Sequence, residues 1–167
     1  MIDFGFGVEL DTIEESDLPQ MRAWRNDPRI WKWCRQSDLI PMAAHLRWFD
    51  GCKEKMYAIR NAGKLVGICG LTSIDTLARR AEFSLYIGPR YHRRGFARAA
   101  LKTLFKHGFE NLGLNLIWGE TFDGNPALNL FKSLGMVQEG VRRDFYFKGG
   151  KLIDATLISI KRSEFDY

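Results

Sequence analysis

The sequence predicts a mixed α/β fold, and three kinds of observation predict it. Several short stretches alternate apolar and polar residues with period two. One long stretch, residues 95–112, repeats its apolar residues with a helical period. Glycine, proline and asparagine sit between these stretches as turn residues. The resulting order is strand, helices, three strands, long helix, strand, helix, two strands. No internal repeat, low-complexity tract or linker breaks it, so residues 1–167 read as one domain with a core of ordinary size.

Val8 to Ile13 alternates and reads as the first strand. Asp17 precedes a helical stretch with Leu18, Met21, Trp24 and Arg25 at helical spacing. Asn26-Asp27-Pro28 breaks it, and Pro28 suits the first turn of a second short helix carrying Ile30, Trp31 and Trp33. Pro41 opens a third, with His45, Trp48 and Phe49 three or four residues apart. Met56 to Arg60 and Lys64 to Leu71 flank Asn61-Ala62-Gly63, a hairpin loop. Glu82 to Ile87 is a strand ended by Gly88-Pro89. Ala97, Leu101, Leu104 and Gly108 then line one face of the long amphipathic helix. Leu114 to Phe122 reads as a strand. Asn125 and Pro126 read as N-cap and first residue of a short helix closed by Gly135. Val137 to Phe147 and Leu152 to Ile160 form a final hairpin around Gly149-Gly150.

Composition narrows the function. Cys34, Cys52 and Cys69 are an odd set with no CxxC spacing, which argues against a disulfide framework and against a zinc or other metal site. The first residues have neither a basic region nor an apolar one, so no signal peptide is expected. No apolar run approaches the ~20 residues that span a bilayer. The expected compartment is the cytoplasm, without membrane association. Net charge is +5, and its placement is informative. Arg90, Arg93, Arg94 and Arg98 crowd together, while basic residues elsewhere are mixed with acids. That concentration favours a small polyanion over a nucleic-acid face. Each arginine alone reads equally well as surface charge.

The turn after the strand at 82–87 is where such an anion would sit. Gly95 and Ala97 are small enough to let backbone approach a ligand. A helix start presents unpaired N–H groups and about half a positive charge, which suits a phosphate. Neither the dinucleotide G-x-G-x-x-G pattern nor the Walker pattern is present. A helix merely started by glycine is the plain alternative.

Ala81 through Ala97, seventeen consecutive residues, resembles the fourth strand and [Q/R]-x-x-G-x-[G/A] loop of the GNAT superfamily of N-acetyltransferases. His92 departs from that pattern, which usually has Gln or Arg there. Ala127 to Met136 resembles the family's second cofactor segment. The Gly149-Gly150 hairpin and Arg162-Ser163-Glu164-Phe165 resemble the branch of ribosomal-protein N-terminal acetyltransferases. The resemblance implies a GNAT fold: a mixed, mostly antiparallel sheet of about seven strands, splayed between the fourth and fifth, with helices on both faces. It also implies acetyl-CoA as cofactor. Backbone of Leu85, Tyr86 and Ile87 would meet the pantetheine arm, with the Leu85 N–H as oxyanion donor. His92, Arg93, Arg94, Gly95, Phe96, Ala97 and Arg98 would hold the pyrophosphate, and Asn125 and Phe131 would flank the arm. Asn125 stands six residues before Phe131 where the family has seven, so helix capping is the other reading of its side chain.

In this family a neutral amine attacks the thioester directly in a ternary complex, through a tetrahedral oxyanion held by backbone N–H. Phe131 stands where many relatives carry a tyrosine acid, so solvent, Tyr86 or Tyr146 would have to supply the proton. A thiol of pKa ~8.5 is already a fair leaving group. Glu82 matches a carboxylate that reaches the amine in several relatives; a cross-strand pair with Arg79 or Arg80 is its other reading. Deprotonating a lysine-like amine at pH 7 costs about 4–5 kcal/mol, an α-amino group only about 1. A site short of acids and bases therefore suits a low-pKa amine. Trp24, Arg25, Asn26, His45 and Trp48 resemble the acceptor region of enzymes that acetylate nucleotide-linked amino sugars; any single tryptophan also reads as core. The leading acceptor is thus a small-molecule amine on a nucleotide sugar, used by a monomer or homodimer. A protein N-terminus is the alternative, and a non-catalytic acyl-CoA or nucleic-acid binding module a remote one.

Overall fold

A computed structural model describes residues 1–36, 38–52 and 55–167. In chain order the elements are β1 (Glu9–Asp11), α1 (Leu18–Arg25), α2 (Pro28–Trp31), α3 (Met42–Cys52), β2 (Met56–Asn61) and β3 (Lys64–Asp75). They continue with β4 (Arg80–Ile87), α4 (Phe96–Glu110), β5 (Leu116–Phe122), α5 (Ala127–Ser133), β6 (Val137–Lys148) and β7 (Lys151–Lys161). All seven strands join one sheet in the order β1-β2-β3-β4-β5-β7-β6. Only β4 and β5 run parallel.

Boundaries differ from the sequence reading for local reasons. The first strand stops at Asp11, whose carboxylate accepts from the Thr12 amide at 2.9 Å and turns the chain out of the ladder. Gly113, at φ +66°, terminates α4 and delays β5 by two residues relative to the expected start at Leu114. Asn125 does cap α5, its side-chain oxygen accepting from the Ala127 amide at 3.0 Å, but the helix begins after Pro126.

Alternation along the central strands puts a core on each face of the sheet. Ile59 and Cys69 point to one side, where Ala100, Leu101, Leu104, Phe105 and Phe109 of α4 are fully buried. Ala58 and Ile68 point to the other, where Leu18, Met21, Trp24, Ile30 and Phe49 of the N-terminal helices cover them. Each fully buried Leu, Ile or Phe adds about 1.5–3 kcal/mol. Gly108 lets α4 press on the sheet: a methyl there would meet Ile117 at 3.0 Å and Leu71 at 3.2 Å.

The feature that makes the site is the short pairing of β4 with β5. It runs only from Arg80↔Leu116 to Glu82↔Trp118, and beyond it the two strands part. Phe83, the first residue past the pairing, lays its ring against Gly119 of β5. There it meets Phe131 edge-on with ring centroids 5.2 Å apart and Phe105 at 5.7 Å. This aromatic wedge fills the crotch of the V.

Candidate active site

The parted strands open a cleft of about 1000 Å³. Its floor is the unpaired half of β4. Arg79, just before the strand, accepts from the Asn115 and Leu116 amides on the β5 side, whereas the Gly88 amide, just past the far end, bonds Val66 on the β3 side. Backbone groups alternate along a strand, so those of Phe83, Leu85 and Ile87 face the cleft with no strand to pair with. The Ile87 carbonyl has a partner all the same: the His92 Nε2–H donates to it at 2.8 Å. His92 thus ties the turn back to the strand end, and the Ile87 N–H and both Leu85 groups are left for a bound chain.

The turn into α4 has the character the sequence suggested. Arg93 (φ +60°) and Gly95 (φ +84°) both take the left-handed conformation, which curls successive N–H groups toward one point. Among the described residues, the amides of residues 93–98 donate to nothing, and the first bond of the helix is Ala99 N–H to the Gly95 carbonyl. Arg93 and Arg98 line the cleft beside these amides, and Arg98 also donates to the Ser133 hydroxyl at 2.5 Å, fixing α4 against α5. Free amides, a helix N-terminus and two guanidinium groups fit a pyrophosphate. Arg94 is exposed and does not line the cleft. Tyr86, Phe96 and Ala97 line the cleft as expected, and Asn125 and Phe131 form its far wall. The Asn125 side chain is taken up by its cap.

At the apex of the V, where the strands part, stands a cluster that the sequence reading found only in part. Glu82, the last paired residue of β4, and Glu120, two residues past its partner on β5, are brought together by Arg35. One guanidinium nitrogen donates to both carboxylates, with the Glu120 contact at 2.6 Å. Tyr146 donates to the same Glu120 oxygen at 2.8 Å, and Arg142 lies 3.7 Å from the other. The partner of Glu82 is therefore Arg35, not the expected Arg79 or Arg80: Arg79 donates to the Gly113 carbonyl and Arg80 pairs with Asp75. Burial, then the hydrogen bond to Glu120, raise the Tyr146 hydroxyl to about 12. Burial raises Tyr86 further, and its hydroxyl has no hydrogen-bond partner among the described residues. Phe131 offers no proton.

The expected acceptor residues divide. Arg25 and Trp48 line the cleft, together with Arg29, Lys32 and Trp33. Trp24, Asn26 and His45 do not. Trp24 is core, its indole packed under Gly88 where a Cβ would sit 2.5 Å from the ring. Asn26 spends its side-chain amide on Ile40, accepting from its N–H at 2.8 Å and donating to its carbonyl at 3.1 Å. His45 is buried and stacked on Trp48 at 5.3 Å, and burial lowers its proton affinity. Arg35, Glu120, Tyr146 as a Glu120 partner, and Lys148 went unread. For Glu120 a signal existed, since it shares a β5 face with Trp118, which pairs with Glu82.

Relatives agree with this geometry. Residues 8–137 match the acetyltransferase (GNAT) domain. The chain is 27% identical over 168 residues to an uncharacterised N-acetyltransferase, p20, of Bacillus licheniformis, covering 95% of this chain and 94% of that one. It is 30% identical over 114 residues to the spermidine N(1)-acetyltransferase of Vibrio cholerae, covering 67% of this chain and 66% of that one. The crystal structure of spermidine N-acetyltransferase from Vibrio cholerae in complex with CoA and spermine superimposes with a TM-score of 0.89 at 23% identity, covering 95% of this chain and 97% of that one. With a seven-stranded sheet parted after Glu82 and free amides opening α4 beside the gap, the chain belongs to the GNAT acetyltransferase family, enzymes that take their acetyl group from acetyl-CoA.

Proposed function

We propose that the protein acetylates the primary amine of a small cytoplasmic acceptor that carries an anionic group, with a nucleotide-linked amino sugar as the leading candidate. One observation carries this reading. The acceptor end of the cleft presents Arg25, Arg29 and Lys32, and two of these have no carboxylate partner among the described residues. Arg25 is held by the neutral Gln36 side chain, with its guanidinium 5.5 Å from the Tyr86 ring, and Lys32 lies over Trp33. Guanidinium groups so placed suit a phosphate. Acetyl-CoA supplies the activated acyl group. The Leu85 N–H faces its carbonyl from the cleft floor, and the amides of 93–98 fix the diphosphate. Glu82, where the strands part, orients the amine and receives its proton directly or through water. Tyr146, its hydroxyl held protonated by burial and by its bond to Glu120, serves as a donor to that carboxylate.

The names of the relatives favour a second reading, a polyamine acceptor, and the Glu82–Glu120 pair agrees with it. Thiol release from acetyl-CoA, measured with a UDP-amino-deoxysugar, spermidine and N-terminal peptides, decides between them. The expected order places the sugar nucleotide first in kcat/KM. Preference for spermidine or for a peptide would replace the proposal with the corresponding alternative.

A further inference from the structure

Two acidic side chains at the apex of a cleft invite an ammonium, yet here the invitation is already answered. Glu82 and Glu120 are nearly buried, their side chains 11% and 6% exposed, whereas the Arg35 side chain is 48% exposed and reaches in from outside. A single nitrogen of Arg35 bridges the pair. Arg142 lies near the remaining Glu120 oxygen. Two carboxylates thus face two guanidiniums, although Glu120 Oε2, which Arg142 approaches, accepts no hydrogen bond among the described residues.

Arg35 is not a loose surface side chain that happens to land there. It belongs to the segment joining α2 to α3, which has no regular structure of its own at residues 32–36. What shapes that segment is Lys148, at the end of β6. Its buried ammonium donates to the carbonyls of Trp31, Cys34 and Gln36, the last at 2.8 Å, and lies 4.1 Å from the Trp31 ring centroid. Gln36 in turn clasps Arg25 from both ends of its amide. Carbonyls on both sides of Arg35 are therefore fixed, and the guanidinium is aimed.

We propose that Arg35 is a specificity-determining residue: it occupies, at Glu120 beside Glu82, the position that the distal ammonium of a diamine or polyamine would take while its reacting amine met Glu82, and so keeps such acceptors out. This rests on the acetyltransferase reading and sharpens its acceptor class. A polycation would have to expel Arg35 from two buried carboxylates while sitting among Arg25, Arg29 and Lys32. An acceptor with one amine and an anionic remainder meets neither obstacle. Rejection is thus built from a fixed like charge rather than from a missing contact.

The test uses the CoA-bound protein, calorimetry, and two ligands: spermidine, and butylamine as the singly charged control. In the wild type spermidine is expected to bind no more tightly than butylamine. Arg35→Met removes the charge and keeps much of the stem; it is expected to raise the spermidine preference by roughly tenfold or more, the scale of one charge contact near a protein surface. Arg35→Lys, which keeps the charge, is expected to behave as wild type. If Arg35→Met fails to fold, Arg35→Gln carries the same expectation with an N–H still offered to the carboxylates. Spermidine preference that is high in the wild type, or unmoved by removing the charge, overturns the proposal. Acetyl-CoA turnover is measured separately. An active enzyme with an unmoved preference defeats only this inference, whereas a protein that binds no CoA and acetylates no amine defeats the acetyltransferase reading and this inference together.

Discussion

Substituting Gly119 by alanine tests the aromatic wedge directly. An added methyl would lie 2.5 Å from Phe83 Cε1, 2.9 Å from Cδ1 and 3.2 Å from Cζ. Carbon atoms prefer about 3.5–4.0 Å, so the ring must retreat by about 1 Å. Phe131 and Phe105 stand edge-on against it at 5.2 and 5.7 Å between centroids, so the ring can yield only toward the cleft that it lines. Overpacking of this kind costs about 1–3 kcal/mol. Removing glycine's backbone freedom from a strand returns about 0.5–1. The net loss of about 1–2 kcal/mol corresponds to a Tm lower by about 2–8 °C for a chain of this size. Thermal unfolding measures it. Because Phe83 and Phe131 both line the cleft, acetyl-CoA affinity should fall as well. Phe83→Leu in the Gly119→Ala background should recover part of the loss, leaving a coupling of the two substitutions well above additivity error. A Gly119→Ala protein as stable as wild type, or strictly additive effects, would refute the packing argument.

Two further outcomes follow from other parts of the structure. Gly95 sits at φ +84° with nothing within 4 Å of a would-be Cβ, so alanine there costs only backbone strain, about 1–2 kcal/mol. Gly95→Ala should weaken binding of acetyl-CoA but not of acetyl-pantetheine, which lacks the diphosphate; equal weakening of both, or of neither, would disprove the role given to these amides. His107 is held neutral: the Asn111 amide donates to its Nδ1 at 2.9 Å, its Nε2 lies 3.2 Å from the Tyr57 hydroxyl, and burial lowers its proton affinity below the usual 6.5. His45 is lowered too. The unfolded chain then binds protons that the folded one refuses, so stability falls as pH drops below about 6.5 and goes on falling until the lowered values are reached. Tm measured at pH 7.5, 6.5 and 5.5 should show that slope, reduced in His107→Gln; a flat profile would contradict it.

How much of this was visible in the chain depends on how local the cause is. The long helix is a repeat within a single stretch, and the hairpin of β2 and β3 is set by Asn61-Ala62-Gly63. The turn into α4 depends on adjacent residues, Arg93 to Arg98. All three were legible for that reason. The acceptor wall was not. Arg35 meets Glu82 and Glu120 across 47 and 85 residues from a segment with no periodicity. Trp24 and Trp48 stand at comparable helical spacings, yet one packs under Gly88 while the other lines the cleft. Which face of a short helix meets the sheet is decided by tertiary packing that the pattern does not encode. Asn26 is expected at the acceptor because its stretch resembles the acceptor region of amino-sugar acetyltransferases, but its amide instead ties α1 to the Ile40 backbone.

Lys148 has a further consequence, for the order in which the molecule comes together. The carbonyls it grips lie 112 to 117 residues earlier in the chain, so closing that loop is entropically costly and late among the native contacts. During synthesis the turn into α4, complete by residue 98, emerges well before the fastener that shapes residues 31–36. A nascent chain therefore carries the turn into α4 long before it carries a finished acceptor wall, and Arg35 takes its place only when the last hairpin is formed.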